Sequence, residues 1–214
     1  MRLYSYWRSS AAYRVRIALN LKGIGYETVP VDLVRDGGQQ HIADYVALNP
    51  AHLVPTLTLD DGAALTQSLA IIDYLDNLVP EPALLPADPV VRARVLAAAH
   101  LIAMDIHPVN NLRVVQHLSA RFGATAQDGA EWMRHWMAKG FDALEHMVSP
   151  DAPFAFGATP GLADICLVPQ MYNARRWTLG LAPYPRLVAL DAAARALPAF
   201  ANAAPERQPD APAE

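Results

Sequence analysis

The chain has 214 residues, of which 53% are hydrophobic and 18% are charged, and its formal net charge at pH 7 is −4. This size and apolar content allow one large or two small globular domains with buried cores. The negative charge argues against a nucleic-acid-binding protein, which needs a basic face, so an anionic ligand must be held by local positive charge.

Cysteine usage and hydropathy indicate the compartment. Cys166 is the only cysteine and lies in the apolar run ADICLVPQ, so it predicts a small buried residue and excludes an internal disulfide. The start of the chain is too polar for a secretory signal, and no apolar run approaches the roughly 18 residues of a membrane span. We therefore expect a soluble cytoplasmic protein with no nucleic-acid or membrane partner.

The first segments alternate between strand and helix patterns. MRLYSYW alternates and is rich in aromatic residues, which is typical of a strand. SAAYRVRIALNLKG carries an apolar helical stripe that ends at Gly23. YETVPVDL predicts a second strand, and Pro30 within it indicates an edge position in the sheet.

The next segments complete the first domain. GGQQHIADYVALNP predicts a short helix that stops before Pro50. LVPTLTLDDGAALTQ predicts a hairpin around its DDG turn, and SLAIIDYLDNL predicts a helix. The resulting order is βαβαββα.

A proline-rich segment separates two regions of different pattern. Residues 79–89, VPEPALLPADP, contain four prolines and predict a linker. Beyond it only helical periodicity remains, and the polar tail PERQPDAPAE predicts a frayed end. We therefore predict an α/β domain over 1–80, a linker over 81–88 and an all-helical domain over 89–214.

The order βαβαββα, with Val54-Pro55 leading into the hairpin, is the thioredoxin-like layout, in which a cis proline leaves neighbouring peptide groups free to pair with a peptide. The dipeptide alone favours an ordinary trans proline. A thioredoxin redox enzyme needs Cys-x-x-Cys after the first strand, but the sequence there is RSSAAY. Any thiol must therefore come from a ligand, and the tripeptide thiol glutathione suits such an edge.

Ser9 and Ser10 stand where the first helix begins. A hydroxyl there can donate a hydrogen bond to a thiolate, and the helix dipole favours negative charge. Lowering a thiol pKa from about 8.5 to about 6.5 needs roughly 2.7 kcal/mol. The alternative is that one serine is only an N-cap, worth about 1 kcal/mol, so the pair mildly favours function.

Gln67 and Ser68 begin a later helix, where backbone N–H groups and a hydroxyl can hold a carboxylate such as that of a γ-glutamyl group. A plain serine N-cap explains Ser68 about equally well. Gln40 is a candidate for the glycine end of the tripeptide, although by itself it is an unremarkable surface glutamine.

One helical segment places polar residues on a common face. His100, Met104, His107 and Asn111 are spaced by four, three and four residues, and Pro108 should kink the helix there. A hydrogen-bonded core histidine explains His100, whereas we favour function for His107 and Asn111. The set lacks metal-ligand spacing, because Met104 is a poor ligand for zinc, so no metal site is expected.

The segment GLADICLVPQMYNARRW predicts a helix with candidate capping residues at both ends. Gly161 takes the N-cap position and Asp164 the N3 position, so half of a capping box is missing. Arg175 and Arg176 lie together at the other end, where a C-terminal capping charge explains at least one of them.

Together these segments resemble the zeta class of glutathione transferases, the maleylacetoacetate and maleylpyruvate isomerases, over nearly the whole chain. Each stretch alone is weak, but the combination is highly specific. The matching stretches are RSSAAYRVRIALNLKGIGYETVPVDLVRDGGQQ, ALNPAHLVPTLTLDDG, QSLAIIDYLD, DIHPVNNLRV, GLADICLVPQMYNARRW, YPRL and PERQPD. The resemblance implies a glutathione transferase fold, with a thioredoxin-like domain followed by a helical bundle, and a homodimer.

The resemblance also implies glutathione as cofactor and a small dicarboxylate as substrate. Three residues would be catalytic: Ser9 and Ser10, which activate the thiol, and Arg8. Glutathione contacts are implied for Ser9, Ser10, Gln40, Val54, Pro55, Gln67, Ser68, His107, Asn111 and Arg113. Substrate contacts are implied for Arg8, His107, Asn111 and Arg176.

The implied activity is cis–trans isomerisation of maleylacetoacetate to fumarylacetoacetate in aromatic amino-acid breakdown, or of maleylpyruvate to fumarylpyruvate, by reversible thiolate addition to the double bond. Many members have Ser-Ser-Cys at the helix start, where this chain has Ala11 in place of the cysteine. Two other hypotheses stay open. One is a general glutathione transferase or dehalogenase acting on small electrophiles such as alpha-halo acids, and the other is a non-enzymatic binding module.

Overall fold

The structure is a computed structural model that describes residues 1–212. The chain divides into two compact units, of which the first is Met1–Ala83 with the C-terminal segment from Leu197, and the second is Leu84–Ala196. This division by contacts differs from the predicted split at residues 80 and 89 chiefly in the C-terminal segment, which packs with the first unit.

The elements of the first unit follow the predicted order βαβαββα and end with a short helix after the second unit. They are β1 Arg2–Ser5, α1 Ser10–Leu21, β2 Glu27–Pro30, α2 Ala43–Leu48, β3 Thr56–Thr58, β4 Ala64–Thr66 and α3 Ser68–Leu78. The second unit contains α4 Pro89–His100, a π-helical segment Leu101–Ile106, α5 His107–Val109, α6 Leu112–Phe122, α7 Ala126–Met147, α8 Leu162–Arg176 and α9 Pro185–Arg195. Helix α10, Pro198–Ala201, belongs to the first unit.

The four strands form one mixed sheet in the order β2-β1-β3-β4. Strand β1 runs parallel to β2 and antiparallel to β3, with Leu3 opposite Leu57. The edge position predicted from Pro30 is confirmed, since Pro30 ends β2 at the border of the sheet, where a missing N–H is tolerated. The first unit therefore has the predicted thioredoxin-like fold.

Helix α1 is buried more completely than its apolar stripe predicts. It packs against α3, and every residue from Ala12 to Leu19 is buried. Arg14 and Arg16 lie within this run and are 1% and 0% exposed, so both arginines belong to the interior of the unit. A helix enclosed in this way holds its N-terminus, and the serines there, on a rigid support.

The predicted common face of His100, Met104, His107 and Asn111 is wrong. The segment Leu101–Ile106 is π-helical, so its period differs from that of an α-helix. The helix stops at Val109, and Asn111 instead caps the next helix, α6. Helix α7 comes so close to the π-helical segment that a Cβ at Gly140 would overlap the Ile106 side chain.

The prediction of a frayed C-terminus is wrong for the described residues. Pro205–Arg207 forms a 3-10 turn, and the Asp210 carboxylate accepts a hydrogen bond from the Trp7 amide at 2.9 Å. A polar composition suggested fraying, but the Gln208 Nε2 also donates to the Asn202 and Ala204 carbonyls, so the tail is attached to the first unit at two side chains. No helix of the described chain is both long and apolar enough to cross a membrane.

Candidate active site

The turn between β1 and α1 carries the first group of candidate residues. Ser9 is the N-cap of α1, since its Oγ accepts a hydrogen bond from the Ala12 amide at 3.2 Å. The Ser9 amide donates to the Tyr6 carbonyl at 2.9 Å and closes the turn. The N-cap interpretation is therefore confirmed for Ser9, but a serine hydroxyl that accepts still has its own proton to donate.

Ser10 differs from its neighbour. It is the first residue inside α1 and half-buried, and its hydroxyl makes no hydrogen bond with any residue from 1 to 212. Both hydroxyls thus have a donor to spare at the end of the helix where the dipole favours an anion. This arrangement suits a thiolate brought by a ligand.

Arg8 precedes the serine pair and is half-buried. Its guanidinium carbon lies 5.1 Å from the centre of the Trp7 ring, within the range of a cation–π contact. Arg14 and Arg16, the two arginines of α1, lie in the interior of the unit. Arg14 Nη1 donates to the Ser68 Oγ at 3.4 Å, and burial lowers the pKa of Arg16 to about 10.

The peptide bond between Val54 and Pro55 is cis, so the trans form favoured by the dipeptide alone is wrong. Side chains outside the dipeptide shape the preceding backbone, because the Leu53 carbonyl accepts hydrogen bonds from the Tyr45 hydroxyl and from Asn49 Nδ2. Val54 is buried against Tyr45. The dipeptide contains none of this information.

The start of α3 holds the candidate carboxylate site. Gln67 takes the N-cap position with φ +67° and ψ 117°, a backbone conformation that is uncommon outside glycine, and its side chain is exposed. Ser68 is the first residue of the helix rather than its N-cap, so the plain capping explanation of Ser68 is wrong. Ser68 is 7% exposed.

Gln40 is a buried residue, contrary to the surface position that the sequence suggested. It is 8% exposed and lies in the 3-10 turn Gln39–His41. Its Nε2 is 3.1 Å from His41 Nε2 and 3.5 Å from the Leu33 carbonyl oxygen. Its Oε1 is buried and has no hydrogen-bond partner within residues 1–212, which leaves an acceptor for a ligand N–H.

The candidates of the second unit lie around the break between α5 and α6. His107 is half-buried and begins α5. The Asn111 Oδ1 accepts a hydrogen bond from the Arg113 amide at 3.2 Å, and Arg113 itself is exposed. Asn111 therefore has a capping function that the sequence pattern did not indicate, and its amide nitrogen remains a donor.

The two arginines at the end of α8 are not equivalent. Arg175 Nη2 donates to the Asp191 Oδ2 at 2.6 Å, and the Asp191 side chain is fully buried. Arg176 is exposed, with its guanidinium carbon 4.8 Å from the centre of the Trp177 ring. Arg175 is thus a structural ion-pair partner, whereas Arg176 is the arginine for which the family resemblance implies a substrate contact.

The burial of Cys166 and the start of α8 agree with the sequence. Cys166 is a buried cysteine that forms no disulfide. In the described part of the chain no three His, Cys, Asp or Glu side chains cluster as metal ligands would. At the start of α8 only the Asp164 half of a capping box exists: its Oδ2 accepts from the Gly161 amide at 2.9 Å, while glycine has no side chain to reciprocate.

Sequence reasoning missed the support beneath the serine turn. Arg16 and Asp210 bond to the two backbone groups of Trp7. Asp210 is 203 positions from Trp7 along the chain, so no local pattern could reveal the contact.

Comparisons with known proteins give a consistent family. Residues 8–78 match the family model described as glutathione S-transferase, N-terminal domain. A protein of Vibrio cholerae named probable maleylacetoacetate isomerase is 52% identical, over 98% of this chain and 97% of its own length.

Solved structures agree. The holo structure of maleyl pyruvate isomerase, described as a bacterial glutathione-s-transferase in zeta class, is 45% identical with a TM-score of 0.95 and covers 99% of this chain and 100% of that one. Maleylacetoacetate isomerase from Anaeromyxobacter dehalogenans, with bound GSH in the active site, is 46% identical with a TM-score of 0.88, over 99% and 97% of the two chains.

Proposed function

The chain belongs to the glutathione transferase family, within the group of maleylacetoacetate and maleylpyruvate isomerases, and from that membership we propose that it is a glutathione-dependent cis–trans isomerase. The substrate is maleylacetoacetate, which becomes fumarylacetoacetate, or maleylpyruvate, which becomes fumarylpyruvate. The observation that carries the proposal is the serine pair at the N-terminus of α1, with donors available in a unit that offers no thiol of its own.

The residues of the first unit fit a tripeptide thiol. Ser9 and Ser10 offer hydroxyl donors for a thiolate, and the start of α3 at Gln67 and Ser68 offers donors for a carboxylate. The unpartnered Oε1 of Gln40 is an acceptor for a peptide N–H. Bound glutathione would supply the nucleophilic thiol, which adds reversibly to the double bond so that the resulting single bond can rotate.

The serines contribute by stabilising negative charge on sulfur. A hydrogen bond to a charged group is worth about 1.5–3 kcal/mol, and a helix N-terminus adds about 0.3–1 kcal/mol. One strong donor with the helix dipole therefore reaches the roughly 2.7 kcal/mol that a shift of two pKa units requires. Because glutathione would supply the thiol, this step needs no cysteine at position 11, where the chain has alanine.

The arginines provide the local positive charge that a chain of net charge −4 needs for a dianionic substrate. We propose that Arg8 and Arg176 bind the substrate carboxylates, and that one of them stabilises the charge that develops on the conjugated carbonyl oxygen. His107 and Asn111 are proposed as further substrate contacts, and Arg113 as a glutathione contact. These assignments follow from the family resemblance.

Purified protein assayed with maleylacetoacetate and with maleylpyruvate, each with and without glutathione, tests the function. We expect isomerisation that requires glutathione and leaves its concentration unchanged, and the faster substrate identifies the main activity. Stoichiometric loss of glutathione would instead support the transferase or dehalogenase alternative. Turnover that is indifferent to glutathione would contradict the mechanism.

We further propose that the enzyme works in the cytoplasm as a homodimer. A cytoplasmic enzyme has reduced glutathione available, because the compartment keeps thiols reduced. The dimer follows from the family resemblance. Light scattering on the purified protein should give twice the monomer mass, and a monomeric mass at assay concentration would contradict this part of the proposal.

A further inference from the structure

Trp7 occupies the turn between β1 and α1, and side chains distant from that turn hold both of its backbone groups. Its amide donates to the Asp210 Oδ2 at 2.9 Å. Its carbonyl accepts from the Arg16 Nη2 at 2.9 Å. Turn residues are ordinarily solvated or bonded to nearby backbone, so this double attachment fixes the Trp7 peptide groups unusually firmly.

The Arg16 guanidinium ties three parts of the first unit together. Besides the Trp7 carbonyl, it donates from Nη1 to the Ser5 Oγ at the end of β1 and from Nε to the Ala203 carbonyl, both at 3.0 Å. The Arg16 side chain is fully buried. A planar guanidinium presents these donors in fixed directions, so the strand, the turn and the C-terminal segment keep one relative geometry.

The Asp210 carboxylate also acts on the charge of Arg16. Burial lowers the pKa of Arg16 to about 10, and Asp210 is one of the groups that oppose this shift, together with Tyr26, Tyr13 and Glu206. A buried guanidinium without compensating negative charge is costly. Asp210 therefore supports the turn twice, by binding the Trp7 amide and by stabilising the cation that binds the Trp7 carbonyl.

The candidate catalytic residues follow Trp7 directly. The Arg8 guanidinium lies over the Trp7 ring, and the Ser9 amide bonds back to Tyr6 at 2.9 Å to close the same turn. The direction of the Arg8 side chain and the place of the Ser9 hydroxyl thus depend on where the Trp7 peptide is held. Misplacement of reacting groups by about 1 Å can cost on the order of 100-fold in rate.

We propose that Asp210 is a positioning residue for this reaction: bound to the Trp7 amide, and acting with Arg16 on the Trp7 carbonyl, it holds Arg8 and Ser9 in the geometry that isomerisation needs. The inference rests on the proposed function for the roles of Arg8 and Ser9. The attachment itself rests on contacts within the first unit alone. It gives the C-terminal segment a part in activity.

Three variants test the proposal. Asp210→Ala removes the acceptor, Asp210→Asn retains an amide oxygen that can accept the Trp7 N–H, and Asp73→Ala removes a carboxylate from an exposed position of α3 as a matched control. We expect kcat to fall about tenfold in Asp210→Ala, which corresponds to roughly 1.4 kcal/mol, and less than about threefold in Asp210→Asn. The KM for glutathione should stay within about twofold, because the α3 contacts are untouched.

Two readouts separate positioning from simple destabilisation. In Asp210→Ala the kcat–pH profile should shift to higher pH, since a misplaced Ser9 stabilises the thiolate less and the pKa of the bound thiol rises. Amide hydrogen exchange should rise at residues 7–10 and stay unchanged in β3, Thr56–Thr58. Asp73→Ala should match the wild type in every measurement.

The outcomes are distinct. Wild-type kcat, pH profile and local exchange in Asp210→Ala would overturn the positioning role while leaving the proposed function intact. A loss of kcat explained wholly by a smaller folded fraction, with exchange raised evenly through the first unit, would also overturn it. A wild-type chain without glutathione-dependent isomerisation would instead overturn the proposed function, and the exchange data would still decide whether Asp210 holds the turn.

Discussion

The Ser9 hydroxyl oxygen accepts a hydrogen bond from the Ala12 amide at 3.2 Å, so Ser9 caps α1 at the end of the helix where the dipole favours an anion. Ser10, one residue later, makes no hydrogen bond through its hydroxyl with any described residue. The two serines therefore differ in what their loss removes. Ser9 combines the capping role with the proposed contact to the thiolate, whereas Ser10 offers only a donor.

This difference predicts different effects of alanine substitution. Ser9→Ala should lower the free energy of unfolding by about 1 kcal/mol through loss of the cap. It should also lower kcat/KM by about 10- to 100-fold through loss of a hydrogen bond to a charged sulfur. Ser10→Ala should leave the free energy of unfolding within about 0.5 kcal/mol of the wild type. Urea denaturation and steady-state kinetics measure both quantities.

Ala11→Cys is the matched control for the serine variants, because it adds a thiol at the adjacent position. Its rate should stay within about twofold of the wild type if the nucleophile comes from glutathione. Equal, near-neutral effects of Ser9→Ala and Ala11→Cys would count against thiolate stabilisation by Ser9. A large gain in Ala11→Cys would show that a protein thiol contributes.

The backbone conformation of Gln67 predicts that replacing this residue with glycine raises stability but weakens glutathione binding. Its φ of +67° is strained for a non-glycine residue, at a cost of about 1–3 kcal/mol. Gln67→Gly relieves that strain, less about 0.5–1 kcal/mol of chain entropy, and should raise the free energy of unfolding. The KM for glutathione should rise because the side chain is lost. Gln67→Ala should raise KM similarly without the gain in stability, and equal stability of the two variants would refute the strain argument.

The environment of Asp164 predicts that the difference in stability between the wild type and Asp164→Asn depends on pH. Its carboxylate accepts hydrogen bonds from the Ala155 and Gly161 amides at 2.8 and 2.9 Å, and Asp164→Asn leaves one of them unpaired, at a cost of about 1–3 kcal/mol. Burial raises the pKa of Asp164 above its usual 3.8, against the opposing effect of those amides. The folded state therefore binds this proton more readily than the unfolded chain does.

The sign of the pH effect follows. Stability contributed by a raised pKa is fully present below about 3.8 and is lost as the pH rises through the folded-state pKa. The margin of the wild type over Asp164→Asn should thus be larger near about pH 4 than near about pH 7. Urea denaturation of both proteins at the two pH values measures it. A margin that grows with pH would contradict a raised pKa.

The fold was predictable because its signals are local. The order βαβαββα follows from periodicity and turn residues, and even the edge position of β2 could be inferred from Pro30. The π-helical segment before His107 was not predictable, since close packing of α7 at Gly140 accompanies it and the local sequence reads as an ordinary helix. The spacing of residues predicts which side chains share a helix face only where the segment keeps the α-helical period.

The candidate site shows the same limit. The residue types at the start of α1 indicated thiolate chemistry, but the burial of Gln40 and the cis bond before Pro55 depend on side chains packed from other segments. The attachment of Asp210 to Trp7 spans nearly the whole chain. Sequence thus predicts which groups take part more readily than it predicts what holds them.

The paired arginines at the end of α8 give the last prediction. Arg175→Ala leaves the buried Asp191 carboxylate with the more distant Arg195, whose Nη1 is 3.6 Å away, so the free energy of unfolding should fall by about 1.5–3 kcal/mol. Arg195→Ala is the matched control and should cost less, because the pair is longer.

Arg176→Ala should behave in the opposite way. It removes an exposed guanidinium that lies over the Trp177 ring, and loss of such an exposed contact should change the free energy of unfolding by no more than about 1 kcal/mol. The KM for the dicarboxylate should rise about tenfold, equivalent to roughly 1.4 kcal/mol of lost carboxylate binding, and Arg176→Lys should recover only part of it, since an ammonium cannot bind a carboxylate in bidentate fashion. Denaturation and steady-state kinetics on the same preparations measure both quantities. A KM effect in Arg175→Ala with none in Arg176→Ala would reverse the assignment, because the structural pair would then be the one that binds substrate.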